Sequence, residues 1–183
     1  PQRYEVDLIS KKGKIIPVEV SASIIPYQGE KADMAILRDI TERKEFENKI
    51  KQKLKIEKTI NKVTSLFINP DDINETINNV LEEIGKLTGA GRAYYFIIDH
   101  DENKMSNTHE WCNKGVTAQK NNLQNLNTDI FPWWMKKLGN HDIIHVSNVD
   151  KMSENAKAEK EILQKQDIKS ILVLPVFKEE GYF

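Results

Sequence analysis

The chain has 183 residues, enough for one full domain and a fragment or for two small domains. With 39% hydrophobic and 30% charged residues and a net charge of −1, it reads as an ordinary soluble globular protein, with no compositional case for nucleic acid or an anionic membrane surface. Its one cysteine rules out an internal disulfide, and no apolar run nears the ~18 residues of a bilayer span, so a cytoplasmic protein without a membrane segment here is expected.

Residues 1–40 predict antiparallel strands. In RYEVDLIS, Tyr4, Val6 and Leu8 alternate with charged residues, as a half-buried strand requires. KKGK makes a turn, IIPVEVSASII resumes the alternation, YQGEKA turns again, and DMAILRDI forms a third strand. Three strands with one apolar face need a covering layer, so the chain is expected to begin inside a domain.

At Asp39 the period changes. DITE offers Asp39 as a helix N-cap, with Glu42 placed to reach back to the Asp39 backbone N–H. Neither proline nor glycine interrupts the next stretch to about Phe67. Apolar residues recur at Phe46, Ile50 and Leu54, then at Ile56, Ile60, Val63 and Phe67. The second set has the 4-3-4 spacing of a coiled-coil seam and the first runs 4-4, so the stripe changes phase near Leu54. A helix with so narrow a stripe suits contact with a second copy, ahead of the alternative of a solvated linker packing on its own domain.

Asn69-Pro70 ends this helix, and residues 72–88 predict another, opened by Asp72 and closed by Gly89 or Gly91. AYYFIID is apolar enough for a central strand, and MSNTHEWC returns as its hairpin partner. FPWWMKKLG predicts a short helix with Pro132 in its first turn. DIIHVSNV predicts a strand, SENAKAEKEILQKQ a helix capped by Ser153, and KSILVLPVF an edge or bulged strand because of Pro175. EEG at 179–181 begins one more turn.

The stretch SNTHEWCNKG places His109, Glu110, Trp111 and the lone Cys112 together. On a strand, His109 and Trp111 point one way and Glu110 and Cys112 the other, which separates histidine from thiol. The remaining histidines show no paired spacing, so no metal site is expected. Cys112 lacks a strong neighbouring base, and no catalytic residue is identified. Glycine-rich phosphate loops are missing, and lysines are spread without interleaved aromatics, so no nucleic-acid partner is expected. Among the aromatics, Trp111, Phe131, Trp133 and Trp134 can roof a pocket, with core packing an equally good account of Phe131 and Trp134. Trp133 points away from Phe131, towards a cavity, solvent or a subunit.

Two resemblances follow. YEVDLISKKGKIIPVEVSASII with AILRDITERKEFE resembles the last strands and closing motif of a PAS domain. From about residue 53, the strings KMSNTHEWCNKGV, IFPWWMKKL, DIIHVSNV and AEKEILQKQDIKSILVLPVF resemble a GAF domain of bacterial and archaeal sensors. Together they imply an α+β chain: PAS strands over 1–40, a signalling helix over 41–68, and a GAF sheet with flanking helices over 69–183. The GAF likeness implies a small-molecule pocket, with His109, Trp111, Trp133 and Trp134 as candidates, but it identifies no cofactor. Cyclic nucleotides, bilins and haem are known in the family. No cyclic-nucleotide signature is present, and Cys112 is followed by Asn113 where bilin-attaching cysteines commonly precede histidine. The implied role is small-molecule or redox sensing and relay in a histidine kinase, dimeric through the 41–68 helix and acting on a response regulator. The alternatives are a sensory region of a diguanylate cyclase, or a ligand-free GAF dimerisation spacer.

Overall fold

The computed structural model describes residues 2–68 and 70–177. It is α+β, with small antiparallel sheets and four α-helices among the described residues. The chain divides into two compact units, Pro1–Asn69 and Pro70–Phe183.

In the first unit, strands β1 (Gln2–Ile9), β2 (Ile15–Tyr27) and β3 (Glu30–Asp39) form an antiparallel sheet in that order. Tyr4 pairs with Val20 and Val20 with Leu37, so the apolar members of the alternation share one face. Val18 and Val20, in the middle strand, are buried. Between β2 and β3, Gln28 and Gly29 form a two-residue turn with φ of 50° and 86°. Two consecutive positive angles match the right-handed twist of the flanking strands.

Helix α1 spans Thr41–Leu66. It starts at the expected residue 41, but Ile40 and not Asp39 is in the cap position, with no side-chain bond from that residue. Asp39 lies just ahead: its Oδ1 accepts from the Thr41 N–H at 2.8 Å and the Thr41 hydroxyl at 2.6 Å. Among the described residues no bond joins Glu42 to Asp39, so the expected reciprocal cap is replaced by this local turn. Ile40 is itself buried, and its N–H donates to the Pro17 carbonyl at 3.0 Å. Glu5 on β1 holds Arg43 at 2.7 Å and pairs with Lys44; that hydrogen bond to Lys44 keeps its carboxyl below the usual range. Beyond this root, α1 has no buried residue.

In the second unit, α2 (Ile73–Thr88) is capped by Asp72, whose side chain accepts from the Asn74 N–H, and closed by Gly89 at φ 70°. Strands β4 (Arg92–Asp99), β5 (Lys104–Cys112) and β6 (Leu126–Asn127) form a sheet with β5 in the middle. The apolar β4 therefore lies at the edge among the described strands, because β6 pairs with β5. Apolar density misled here: β4 exposes Ile97 at 53%, whereas β5 buries the polar Asn107 completely.

Next come α3 (Pro132–Gly139), β7 (Ile144–Val146), α4 (Lys157–Lys165) and β8 (Ile171–Val173), with β7 and β8 antiparallel. Phe131, Leu138, Ile144, Val149, Ala156 and Leu163 are the buried apolar residues of this part. Ser153 precedes a 3-10 turn, Glu154–Ala156, and makes no side-chain cap; α4 begins after it, at Lys157. Strand β8 ends at Val173, two residues short of Pro175, so it stops before the proline and needs no bulge. The expected turn at 179–181 lies outside the described residues.

Candidate functional site

The four expected pocket residues fall into two separate places. His109 and Trp111 lie on the face of β5 that meets α2. His109 Nε2 is 3.1 Å from Asn74 Oδ1, and its Nδ1 is 3.0 Å from the Thr108 hydroxyl oxygen. The Trp111 ring lies against Gly85, in the last turn of α2. Trp133 and Trp134 open α3, and their backbone N–H groups donate to Glu159 Oε1 of α4 at 2.8 and 3.1 Å. Trp134 also meets Phe131 edge to face, with ring centroids 6.2 Å apart. Both pairs are thus engaged in packing layers of the second unit.

Burial and then Lys120 push the His109 pKa down, while Asp72 opposes them. The folded value lies below the ordinary one, so the unfolded chain binds more protons in the interval between the two. Stability of the second unit should therefore be full above about pH 6.5 and fall as pH drops through that interval. Denaturant midpoints by tryptophan fluorescence should decline over this window in the native chain. In His109→Gln that decline should shrink; an unchanged slope would assign it to other groups.

The opposite side of β5 is also occupied. Glu110 accepts from the Gln119 N–H with both oxygens at 2.9 Å and from the Lys120 N–H at 2.8 Å. This bond set ties the loop after β5 back onto its strand. Burial and then Glu110 raise the Cys112 pKa, so little thiolate forms at neutral pH.

Two recesses among the described residues can be compared. In the first unit, one of about 220 Å³ is lined by residues of both charge signs, among them Glu19, Arg38, Glu42 and Arg43. In the second, an open cleft of about 470 Å³ lies between the start of β4, the loop after β5 and the end of α4. Its lining includes Arg92, Val116, Thr117, Gln119, Lys165 and Gln166. None of the four expected aromatic or histidine residues lines either recess.

Arg92 organises this cleft. Its Nε donates to the Thr117 carbonyl at 3.0 Å, and Nη1 to the Tyr94 hydroxyl at 3.3 Å and the Gln166 carbonyl at 3.4 Å. One guanidinium thus joins the loop after β5 to the segment after α4. Burial raises the Tyr94 pKa, which keeps its phenol neutral beside the arginine. The sequence signal for Arg92 is faint: GAGR reads as a helix stop, and nothing in it shows the arginine's distant partners. Glu159 left a better trace, because it shares a helical face with Ala156 and Leu163, where a hydrated carboxylate is unexpected.

No family model matches the chain. Over 113 residues it is 32% identical to the "Methyl sulfide methyltransferase-associated sensor" of Methanosarcina acetivorans. The match covers 62% of this chain and 11% of that protein. The chain thus spans a small part of the relative's length, and the likeness supports a sensory role. Among the described residues, no helix is long and apolar enough to cross a membrane.

Proposed function

We propose that the chain is a sensory and signal-relay region of a multidomain, cytoplasmic histidine kinase. In this reading the first unit is the end of a PAS domain and the second is part of a GAF domain. A small molecule binds the Arg92 cleft, two copies pair along α1, and a kinase module elsewhere in the protein acts on a response regulator. The observation that carries the relay is the condition of α1. Over 26 residues it buries nothing, while Phe46, Ile50 and Ile60 are 63%, 59% and 56% exposed at helical spacing. Leu54, Ile56 and Phe67 are about half exposed as well, and Val63 is half-buried. A sustained apolar stripe in water is the pattern of a helix that completes itself on another. A second copy supplies a matching stripe by symmetry.

A small molecule is favoured over a thiol redox signal, because the raised Cys112 pKa disfavours the reactive form. The sensor relative is consistent with such a role.

Single cysteines at Ile60 or Val63, in a Cys112→Ser background, test the pairing. At least one should give a disulfide-linked dimer under mild oxidation, and an exposed cysteine at Lys11 should give much less. Failure at both helix positions would sink the relay. Sequence beyond residue 183 of the full-length protein separates a kinase from a diguanylate cyclase. A GAF unit that binds nothing in its cleft would favour the spacer.

A further inference from the structure

We infer that the Arg92 cleft takes an anionic small molecule, held through a carboxylate or phosphoryl group by Arg92 and Lys165. This deepens, and rests on, the reading of that cleft as the sensory site.

A guanidinium has five N–H donors in a rigid fork. In Arg92, the one on Nε and the two on Nη1 are directed at Thr117, Tyr94 and Gln166. Among the described residues, the two on Nη2 meet no protein acceptor. Three bonds to separate segments hold the fork, so little rotamer freedom remains to be lost when a ligand engages Nη2. Lys165, in the last turn of α4, brings a second cation to the same cleft.

Among the described residues, the cleft lining has one carboxylate, Asp167. It is already engaged, in an ion pair with Lys169 at 2.6 Å. A cationic ligand would therefore meet two cations and one exposed carboxylate already paired with Lys169. An anion would meet one fixed donor pair and one mobile ammonium, opposed by the Asp167 carboxylate, whose charge Lys169 partly offsets. Neutral donors are also present. Gln119 uses its side-chain oxygen to accept from Asn122 at 3.1 Å, which leaves its amide N–H groups for a ligand, and Thr117 adds a hydroxyl. At about 470 Å³, the cleft falls within the size range of small-molecule sites.

Calorimetric titration of the 183-residue chain tests this, with pyrophosphate and succinate in separate arms at about 50 mM salt. At least one should bind saturably, and the arm that does identifies phosphoryl or carboxylate recognition. Lys165→Gln should weaken that binding about tenfold or more. Arg92→Lys should weaken it further, because a lysine keeps the charge and loses the fork. Among the described residues, Lys165 has no side-chain bond that supports the fold, so its variant keeps the test valid if the arginine variant loosens the loops. Lys51→Gln on α1 should leave binding unchanged.

Absence of binding by both anions, or binding equally tight in Lys165→Gln, would overturn the anion assignment. Neutral myo-inositol and cationic choline complete the panel. If either binds saturably and Thr117→Trp abolishes it, the cleft remains a small-molecule site and only the anion class fails. If nothing binds, the sensory reading of the cleft fails with it.

Discussion

Gly85→Ala should destabilise the second unit by about 2–3 kcal/mol, although alanine is the better helix former. A Cβ built at this position would lie 2.2 and 2.3 Å from two carbons of the Trp111 ring. Contacts that short force the ring, β5 or α2 to move. Movement is opposed on both sides. Trp111 stands on the middle strand of its sheet, and α2 is tethered to that strand through the Asn74–His109 contact. Helix propensity would return about 1 kcal/mol, too little to offset the overlap. All three tryptophans lie in the second unit, so fluorescence-detected unfolding reports on it, and the melting point should fall on the order of 10 °C. The sign should reverse once the ring is gone. In a Trp111→Leu background, Gly85→Ala should be neutral or slightly stabilising, and equal losses in both backgrounds would rule out the clash.

This pair shows what could and could not be read from the chain. Alternation puts His109 and Trp111 on one face of β5, and they are on one face. What alternation does not say is which layer covers that face. Both sides of β5 are occupied: α2 covers one, and the other is tied by Glu110 to the loop after the strand. The aromatic side suggested a pocket, yet a glycine in the last turn of α2 lets the Trp111 ring approach the helix backbone. Gly85 reads only as a mild defect within the α2 pattern until its neighbour is known.

Periodicity served α1 better, because it has no buried residue whose packing would compete with the local pattern. Its cap was less legible. Ile40 is drawn into the core and its N–H is taken by Pro17, which moves the helix start past Asp39. The middle strand of the second sheet was obscured for a related reason. Order within a sheet depends on which strand arrives on the far side, and the two-residue β6 pairs with β5. Short strands and polar middle strands have little signature of their own. The cleft is the extreme case, since Arg92, Thr117 and Gln166 are distant in sequence and meet only in the fold.

Glu159→Ala should cost the second unit about 3 kcal/mol or more, more than any nearby surface carboxylate. The first turn of a helix has N–H groups without intrahelical partners. In α3, Pro132 has no N–H to satisfy, and the Met135 N–H reaches the Phe131 carbonyl at 2.9 Å. The remaining two, on Trp133 and Trp134, both depend on Glu159 Oε1. Phe131, in the cap position, has no side-chain acceptor to offer, so a carboxylate from α4 performs the capping. Glu159 is fully buried, and its loss would leave both donors away from water and a void between the two helices. Glu159→Gln should lose less, about 1–2 kcal/mol, because its carbonyl oxygen can accept both bonds. The amide nitrogen would then stand where Oε2 has no partner among the described residues. Glu161→Ala, two positions on and exposed, should change stability by less than about 0.5 kcal/mol. Urea midpoints followed by tryptophan emission should rank the variants alanine, glutamine, native in increasing order. If Glu159→Ala unfolded no earlier than Glu161→Ala, α3 would have to hold its start by another means.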